Sequence, residues 1–287
     1  MSHHFFLPIS EACLPPKQTV VPAPARIGMV GQYPPPEILW LDTAESTHNL
    51  LKTPEYATLP SFRMVAARCQ TAGRGQRGNS WESEDLMNLT FSMAVEPTWL
   101  HPAMQFALSE ATALAVVAYL QSEGIDATVK WPNDIYVGDR KICGILIDHS
   151  IDSEKIIRSV VSAGLNINQT TFHSDAPNPV SMKQLLNRNT SVDSAAVSLL
   201  LLLRQFIIMT STPEGRSTLH RSFMLRLYRN DGLPHPYHDQ LRDIDIEATI
   251  EEVLPDGTLL LRDQADGITR PYLFKQVVAL LTKNFRK

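Results

Sequence analysis

Two short stretches of this 287-residue chain carry residue types suited to polyanion chemistry. The first is Gly73-Arg74-Gly75-Gln76-Arg77-Gly78, set after the apolar run RMVAARC. Its spacing matches G-x-G-x-x-G, which in a dinucleotide fold opens a helix against the sheet. Here Asn79-Ser80-Trp81-Glu82-Ser83-Glu84-Asp85 follows, with no apolar stripe, and Asn79 stands where a phosphate loop needs lysine. What remains is a bendable main chain bearing two guanidinium groups, each able to grip a phosphate or carboxylate with two parallel N–H donors. The bland alternative is a solvent loop with two surface arginines. The second stretch weighs against it. Lys130-Trp131-Pro132-Asn133-Asp134-Ile135 is followed, after a turn at Gly138-Asp139, by Lys141-Ile142-Cys143-Gly144-Ile145-Leu146-Ile147-Asp148. Two lysines, an Asn and an Asp at the ends of a hairpin can converge on one ligand. With the arginine loop they supply cations, a carboxylate and close backbone, an inventory for nucleotide phosphate chemistry.

The elements that must position these groups follow from pattern. ILWLD, RMVAARC and NLTFSMAVE read as strands, and Ser46 or Thr47 can cap a short helix over residues 48–52. Residues 102–121 form a helix with Pro102 in its first turn and Gly124 as its stop. ATVKW, DIYVG, KICGILID and KIIRSVVSAGLNIN give four strands, and NQTTFHSDAPNPVSM a mobile loop. Asp193 can cap a long helix, with a second one running to about Tyr228. IEATIEEV, TLLLRD, TRPYLF and QVVALL are short strands between Asp-Gly turns, as in a small barrel. The fold class expected is α+β: a mixed sheet with helices over residues 37–235, then a small β domain over 236–287. Residues 1–36, with eight of the twenty prolines, form an extended or disordered arm with no assigned function.

Composition narrows the function. A net charge of −4 and 20% charged residues give no global pull toward nucleic acid or lipid. The longest near-continuous apolar run, residues 197–203, falls far short of the ~20 residues that span a bilayer. Cys13, Cys69 and Cys143 form no C-x-x-C pair, so neither a disulfide framework nor a structural zinc site is expected. The first residues have no basic and apolar leader pattern. A cytoplasmic protein is the expectation.

The ordered set Ser46-Thr47, Gln70 through Trp81, KWPNDI, KICGIL and Ala163-Gly164-Leu165-Asn166-Ile167-Asn168 resembles the biotin protein ligase family. The resemblance runs from about Glu37 to the end of the chain. It implies a fold akin to class II aminoacyl-tRNA synthetases with an SH3-like β barrel at the C-terminus. It also implies an ATP-dependent activity: biotin and ATP form biotinyl-5′-AMP, and biotin passes to a lysine of a biotin carboxyl carrier protein of a carboxylase. Residue by residue, Ser46, Thr47, His48 and Gln70 resemble the positions around biotin's ring head. Arg74, Gly75, Gln76 and Arg77 resemble the loop closing over biotin and phosphates, and Gly144 lies on the biotin side. Lys141 resembles the lysine between the biotin carboxylate and the α-phosphate. Asp134 resembles the carboxylate that orients the acceptor lysine. Trp81, Lys130, Asn133, Gly164 and Asn166 join Arg77 in the adenylate pocket. His48 stands where many members have Asn, Gln76 where some have Arg, and Ser162 where some have Gly. Lys141, the arginines and Mg²⁺ would offset the charge of two meeting anions, and a closed loop would keep water from the mixed anhydride. The metal's ligands are not legible in the sequence.

Two other functions fit part of the pattern. A lipoate ligase or octanoyltransferase would share the fold, with Cys143, two residues from Lys141, as a nucleophile in the transferase case. A DNA-binding repressor would need helical periodicity and basic residues that residues 1–36 lack, so no DNA partner is expected. No membrane partner is expected either, and a monomer or a homodimer would both serve.

Overall fold

The computed structural model describes residues 18–22, 37–174 and 178–280. Of the arm, β1 (Gln18–Pro22) pairs antiparallel with β2 (Glu37–Ala44), and the rest lies outside the described residues. Then come α1 (Thr47–Leu50), α2 (Pro54–Ala57), β3 (Arg63–Gln70) and β4 (Leu89–Val95). A 17-residue helix, α3 (Phe106–Ser122), leads to β5 (Thr128–Lys130), β6 (Asp134–Val137), β7 (Arg140–Asp152) and β8 (Lys155–Leu165). These eight strands form one sheet in the order β1-β2-β3-β4-β8-β7-β6-β5, parallel only at β2–β3.

Side-chain alternation explains why the sheet is covered on both faces. In β2, Ile38 and Trp40 join the main core while Leu39 and Leu41 join a smaller cluster with Leu51 and Tyr56. In β3, Met64 and Ala66 point one way and Val65 and Ala67 the other. Period-2 geometry sends neighbours to opposite faces, so an unbroken apolar run marks a doubly buried strand. The main face is covered by α3, α5 (Val192–Met209) and α6 (Pro213–Arg226). By length and hydropathy α3, with the turn before it, and α5 could each cross a membrane. Their apolar faces are instead spent on the sheet and on each other.

Local differences from the sequence expectations have local causes. Ser191, not Asp193, caps α5, accepting from the Ser194 N–H at 3.2 Å, and Asp193 sits in the first turn. At the end of the expected loop, Ser181 forms a capping box with Gln184 that starts α4 (Met182–Leu186). Residues 175–177 of that loop lie outside the described residues.

The C-terminal sheet has five strands rather than four: β9 (His235–Asp239), β10 (Ile244–Val253), β11 (Leu259–Asp263), β12 (Thr269–Tyr272) and β13 (Val277–Ala279). The order is β12-β11-β10-β9-β13, all antiparallel, as in an SH3-like module. Its inner residues, among them Tyr237, Ile250, Val253 and Leu261, belong to the same core cluster as the large sheet. At the seam the Trp131 indole N–H donates to the Gly257 carbonyl at 2.8 Å. The Trp131 ring also meets Phe274 edge-on.

Candidate functional site

A cleft of about 680 Å³ opens where β3, the arginine loop, β6, β7, β8 and the C-terminal sheet meet. Ser46, Thr47, His48, Gln70, Arg74, Gly75, Gln76, Trp81, Lys130, Asn133, Asp134, Lys141, Gly144 and Asn166 all line it. Residues as far apart in sequence as Ser46 and Asn166 are thus brought to one concavity. Two of the expected residues stand apart. The side chain of Arg77 lies outside the described residues, and Gly164 is covered by Trp81.

At one end, Ser46 caps α1 by accepting from the Asn49 N–H at 3.5 Å. The first turn of α1 then points Thr47 inward. Its N–H and its hydroxyl donate to the Gln70 side-chain oxygen at 2.8 and 3.1 Å. This end is small, polar and buried, with Ser46 and Thr47 3% and 2% exposed.

The arginine loop is a tight hairpin rather than an open coil. The Gly75 N–H donates to the Asn79 carbonyl at 2.7 Å, and the Trp81 N–H to the Gly73 carbonyl at 2.9 Å. A Cβ on Gly73 would lie 2.4 Å from the Trp81 carbonyl, so this glycine serves the loop's own closure. Arg74 is exposed and pairs with no acid among the described residues. The Trp81 indole lies over Gly164 and Gly144, where added Cβ atoms would come within 2.3 and 3.0 Å of the ring. Its buried indole N–H has no hydrogen-bond partner among the described residues. Next to it, the Glu82 carboxylate accepts from the backbone N–H groups of His173 and Ser174, at 2.9 and 2.6 Å, and ties the loop before α4 to the arginine hairpin. Burial would push Glu82 up, but these hydrogen bonds outweigh it and hold the carboxyl below its usual range.

At the other end, the Lys141 ammonium and the Asp134 carboxylate form an ion pair at 2.7 Å, each 23% exposed. A bulge between Ile135 and Tyr136 pairs Tyr136 with Lys141 and Ile135 with Cys143. It breaks the simple alternation and separates Lys141, on the cleft, from Cys143, which is fully buried in the core. Burial raises the Cys143 thiol far above its ordinary value, which removes the thiolate a transferase would require. Lys130 donates to the Tyr136 hydroxyl at 3.1 Å, and burial lowers its pKa against the pull of Asp134. The Asn133 side chain donates to the Ile145 carbonyl and so stitches the hairpin together. Asn166 donates to the Val180 carbonyl at 3.1 Å, while its buried side-chain oxygen has no hydrogen-bond partner among the described residues.

Sequence reasoning missed several lining residues. Tyr136, Tyr228, Phe172 and Lys275 line the cleft without belonging to any motif. Ser92 was legible in principle, as a lone serine among the apolar residues of β4. No group of three or more His, Cys, Asp or Glu side chains suited to a metal ion occurs among the described residues.

Residues 40–168 match the family described as "Biotin/lipoate A/B protein ligase family". The bifunctional ligase/repressor BirA of Escherichia coli is 28% identical over 273 residues, which cover 91% of this chain and 80% of that protein. The bifunctional ligase/repressor BirA of Bacillus spizizenii is 28% identical over 148 residues, covering 50% of this chain and 44% of that protein. The matched part is thus less than half of the Bacillus relative's own length. Among solved structures, the biotin protein ligase from Aquifex aeolicus in complex with biotin and ATP superposes with a TM-score of 0.70. It does so at 20% identity, over 84% of this chain and 97% of that one, and so shares the fold. Motif order, fold and family match agree, and the chain carries a domain of the biotin/lipoate A/B protein ligase family.

Proposed function

We propose that the chain is an ATP-dependent biotin protein ligase, which makes biotinyl-5′-AMP and transfers biotin to a lysine of a carboxylase's carrier protein. The observation that carries this reading is one cleft with two unlike ends. A compact hydrogen-bonding end (Ser46, Thr47, Gln70) suits an uncharged ring with N–H and C=O groups. A cationic end (Lys141, Lys130, Arg74) suits phosphates. Further relatives, from Arabidopsis thaliana, are named biotin–protein ligases, which points the same way.

In the first half-reaction a biotin carboxylate oxygen attacks the α-phosphorus, and the bond to pyrophosphate breaks. Both reactants are anionic, so a fixed cation between them lowers the barrier most. Lys141 is that cation, and Asp134 holds it in place. Mg²⁺, when bound with ATP, would offset phosphate charge beside Lys141 and Arg74. In the second half-reaction the carrier amine attacks the acyl carbon and AMP leaves. Asp134 then orients the amine and takes its proton. Trp81, lying over Gly144 and Gly164, offers a flat surface for the adenine and shields the anhydride from water.

The test is incubation with ATP, Mg²⁺ and either biotin or lipoate, with the adenylate identified by mass. A biotinyl adenylate is expected. Lipoyl adenylate alone, or none, would overturn the proposal.

A further inference from the structure

Three donors face the half-buried carboxylate of Glu82, the residue after Trp81. The His173 N–H lies 2.9 Å from each carboxylate oxygen, the Ser174 N–H 2.6 Å from one, and the Gln169 side-chain NH2 3.0 Å from the other. Neighbouring contacts fix which way Gln169 points. Its side-chain oxygen accepts from the Glu84 N–H at 3.0 Å and from the Asn88 side chain at 2.5 Å, while its NH2 also donates to the Thr171 carbonyl at 2.8 Å. Asn88 is oriented in turn, because its oxygen accepts the Ile167 N–H at 2.9 Å. Gln169 and Asn88 are each 2% exposed, so a flipped amide would leave buried groups mismatched. An ionised carboxylate only accepts, and so matches all three donors. A carboxylic acid or an amide would set a donor against a donor.

The carboxylate joins two walls of the cleft. One is the arginine hairpin, closed by the Arg74–Ser80 bridge and continued by Trp81 over Gly164 and Gly144. The other is the segment leaving β8, which brings Phe172 and Ser174 to the cleft. Residues 166–174 belong to no helix or strand, and Thr171, His173 and Ser174 are exposed. Backbone of this kind, without a ladder of its own, opens locally at little cost. Glu82 gives two of its N–H groups a fixed, charged partner.

We propose that Glu82 is a positioning residue that builds the nucleotide side of the cleft before any ligand arrives, holding residues 172–174 against the arginine hairpin so that both walls enclose the adenylate together. This rests on the ligase reading above, because a mixed anhydride has to be kept from water between two half-reactions. A segment left to order on the nucleotide would subtract its ordering entropy from ATP affinity, whereas a wall formed on folding does not. Burial pushes the Glu82 carboxyl up, but the hydrogen bonds from His173, Ser174 and Gln169 outweigh it, so the charge persists at neutral pH.

The test compares Glu82→Gln and Glu82→Ala with wild type, as full chains whose Tm is measured first. Hydrogen exchange over residues 169–174 is followed without ligand. Pyrophosphate release and the lifetime of the bound adenylate are then measured with biotin, ATP and Mg²⁺. Both variants should exchange faster there, shed the adenylate sooner and show a KM for ATP raised roughly tenfold, the worth of one charge-assisted hydrogen bond. The KM for biotin should rise much less, since Ser46, Thr47 and Gln70 share none of these bonds. Isosteric Gln should do no better than Ala, because it opposes donors where Ala admits water. A side chain that merely filled space would leave Gln like wild type and Ala impaired, and that outcome would overturn the proposal. Unchanged exchange over 169–174 in both variants, or KM values for ATP and biotin rising equally, would also overturn it and leave the ligase reading intact. No biotin-dependent pyrophosphate release from wild type would overturn the ligase reading and this role with it.

Discussion

Replacing Asp134 by Asn should separate the two half-reactions. The amide keeps the shape and much of the hydrogen bonding of the carboxylate but removes its charge. The first consequence falls on Lys141, held at 2.7 Å by a carboxylate that is only 23% exposed. A charge-assisted hydrogen bond is about twice as strong as a neutral one, and the neutral one is worth about 1 kcal/mol net. Lys141 therefore loses about 1 kcal/mol of positioning, which converts to roughly a fivefold slower adenylation. The second consequence falls on transfer. The incoming lysine has a solution pKa of ~10.4 and must shed a proton before attack. Losing the group that accepts it costs roughly 10²–10⁴-fold. Pyrophosphate release and carrier biotinylation, measured on one preparation, should thus differ in their losses by at least tenfold. Equal losses in both steps would refute the reasoning and make Asp134 a holder of Lys141 alone. Near-normal transfer would show that it merely begins strand β6.

Three further outcomes are expected. Gly164→Ala drives a methyl to 2.3 Å from the Trp81 indole, and because overpacking costs about 1–3 kcal/mol the ring should swing out. Red-shifted tryptophan emission and a raised KM for ATP would report it, and unchanged emission would count against the stacked ring. Glu110, 5% exposed and bonded to His220 at 2.8 Å, has its carboxyl pushed by burial above the usual glutamate range. A raised folded pKa gives stability that is present at low pH and lost as pH rises through it, so Glu110→Gln should gain Tm relative to wild type between pH 4 and 8. A Tm difference that does not change with pH would contradict this. Deleting residues 1–35 removes β1 from the edge of β2 and should lower Tm by a few degrees. It should leave ligation intact, because the lining of the cleft begins at Ser46. Activity lost from a folded protein would assign the arm a function.

The sequence by itself determined the large elements and the identity of the cleft's cations. Periodicity is a local property, so strands β2, β3, β4, β7 and β8 and helix α3 were legible from the alternation and length of their apolar runs. Turn and cap chemistry is local too, but it becomes ambiguous where several caps compete. Ser191 displaced Asp193 for that reason, and the Ser181–Gln184 box went unnoticed inside a polar stretch. Strand β9, His-Pro-Tyr-His-Asp, has no apolar alternation to announce it. It is a strand because β10 and β13 flank it and satisfy its backbone, a condition that only assembly supplies. The glycines mark close approach in the sequence, but the sequence does not say by what. Trp81 makes that approach at Gly73, Gly144 and Gly164. Tertiary structure alone decided that Lys141 pairs with Asp134 while a bulge sends Cys143 into the core. It alone joined His48, Ser92, Asp148 and Ser162, which lie on four different elements. Hydrogen bonds between residues more than 40 positions apart leave no periodic trace in the chain, so their partners emerge only when the sheet closes.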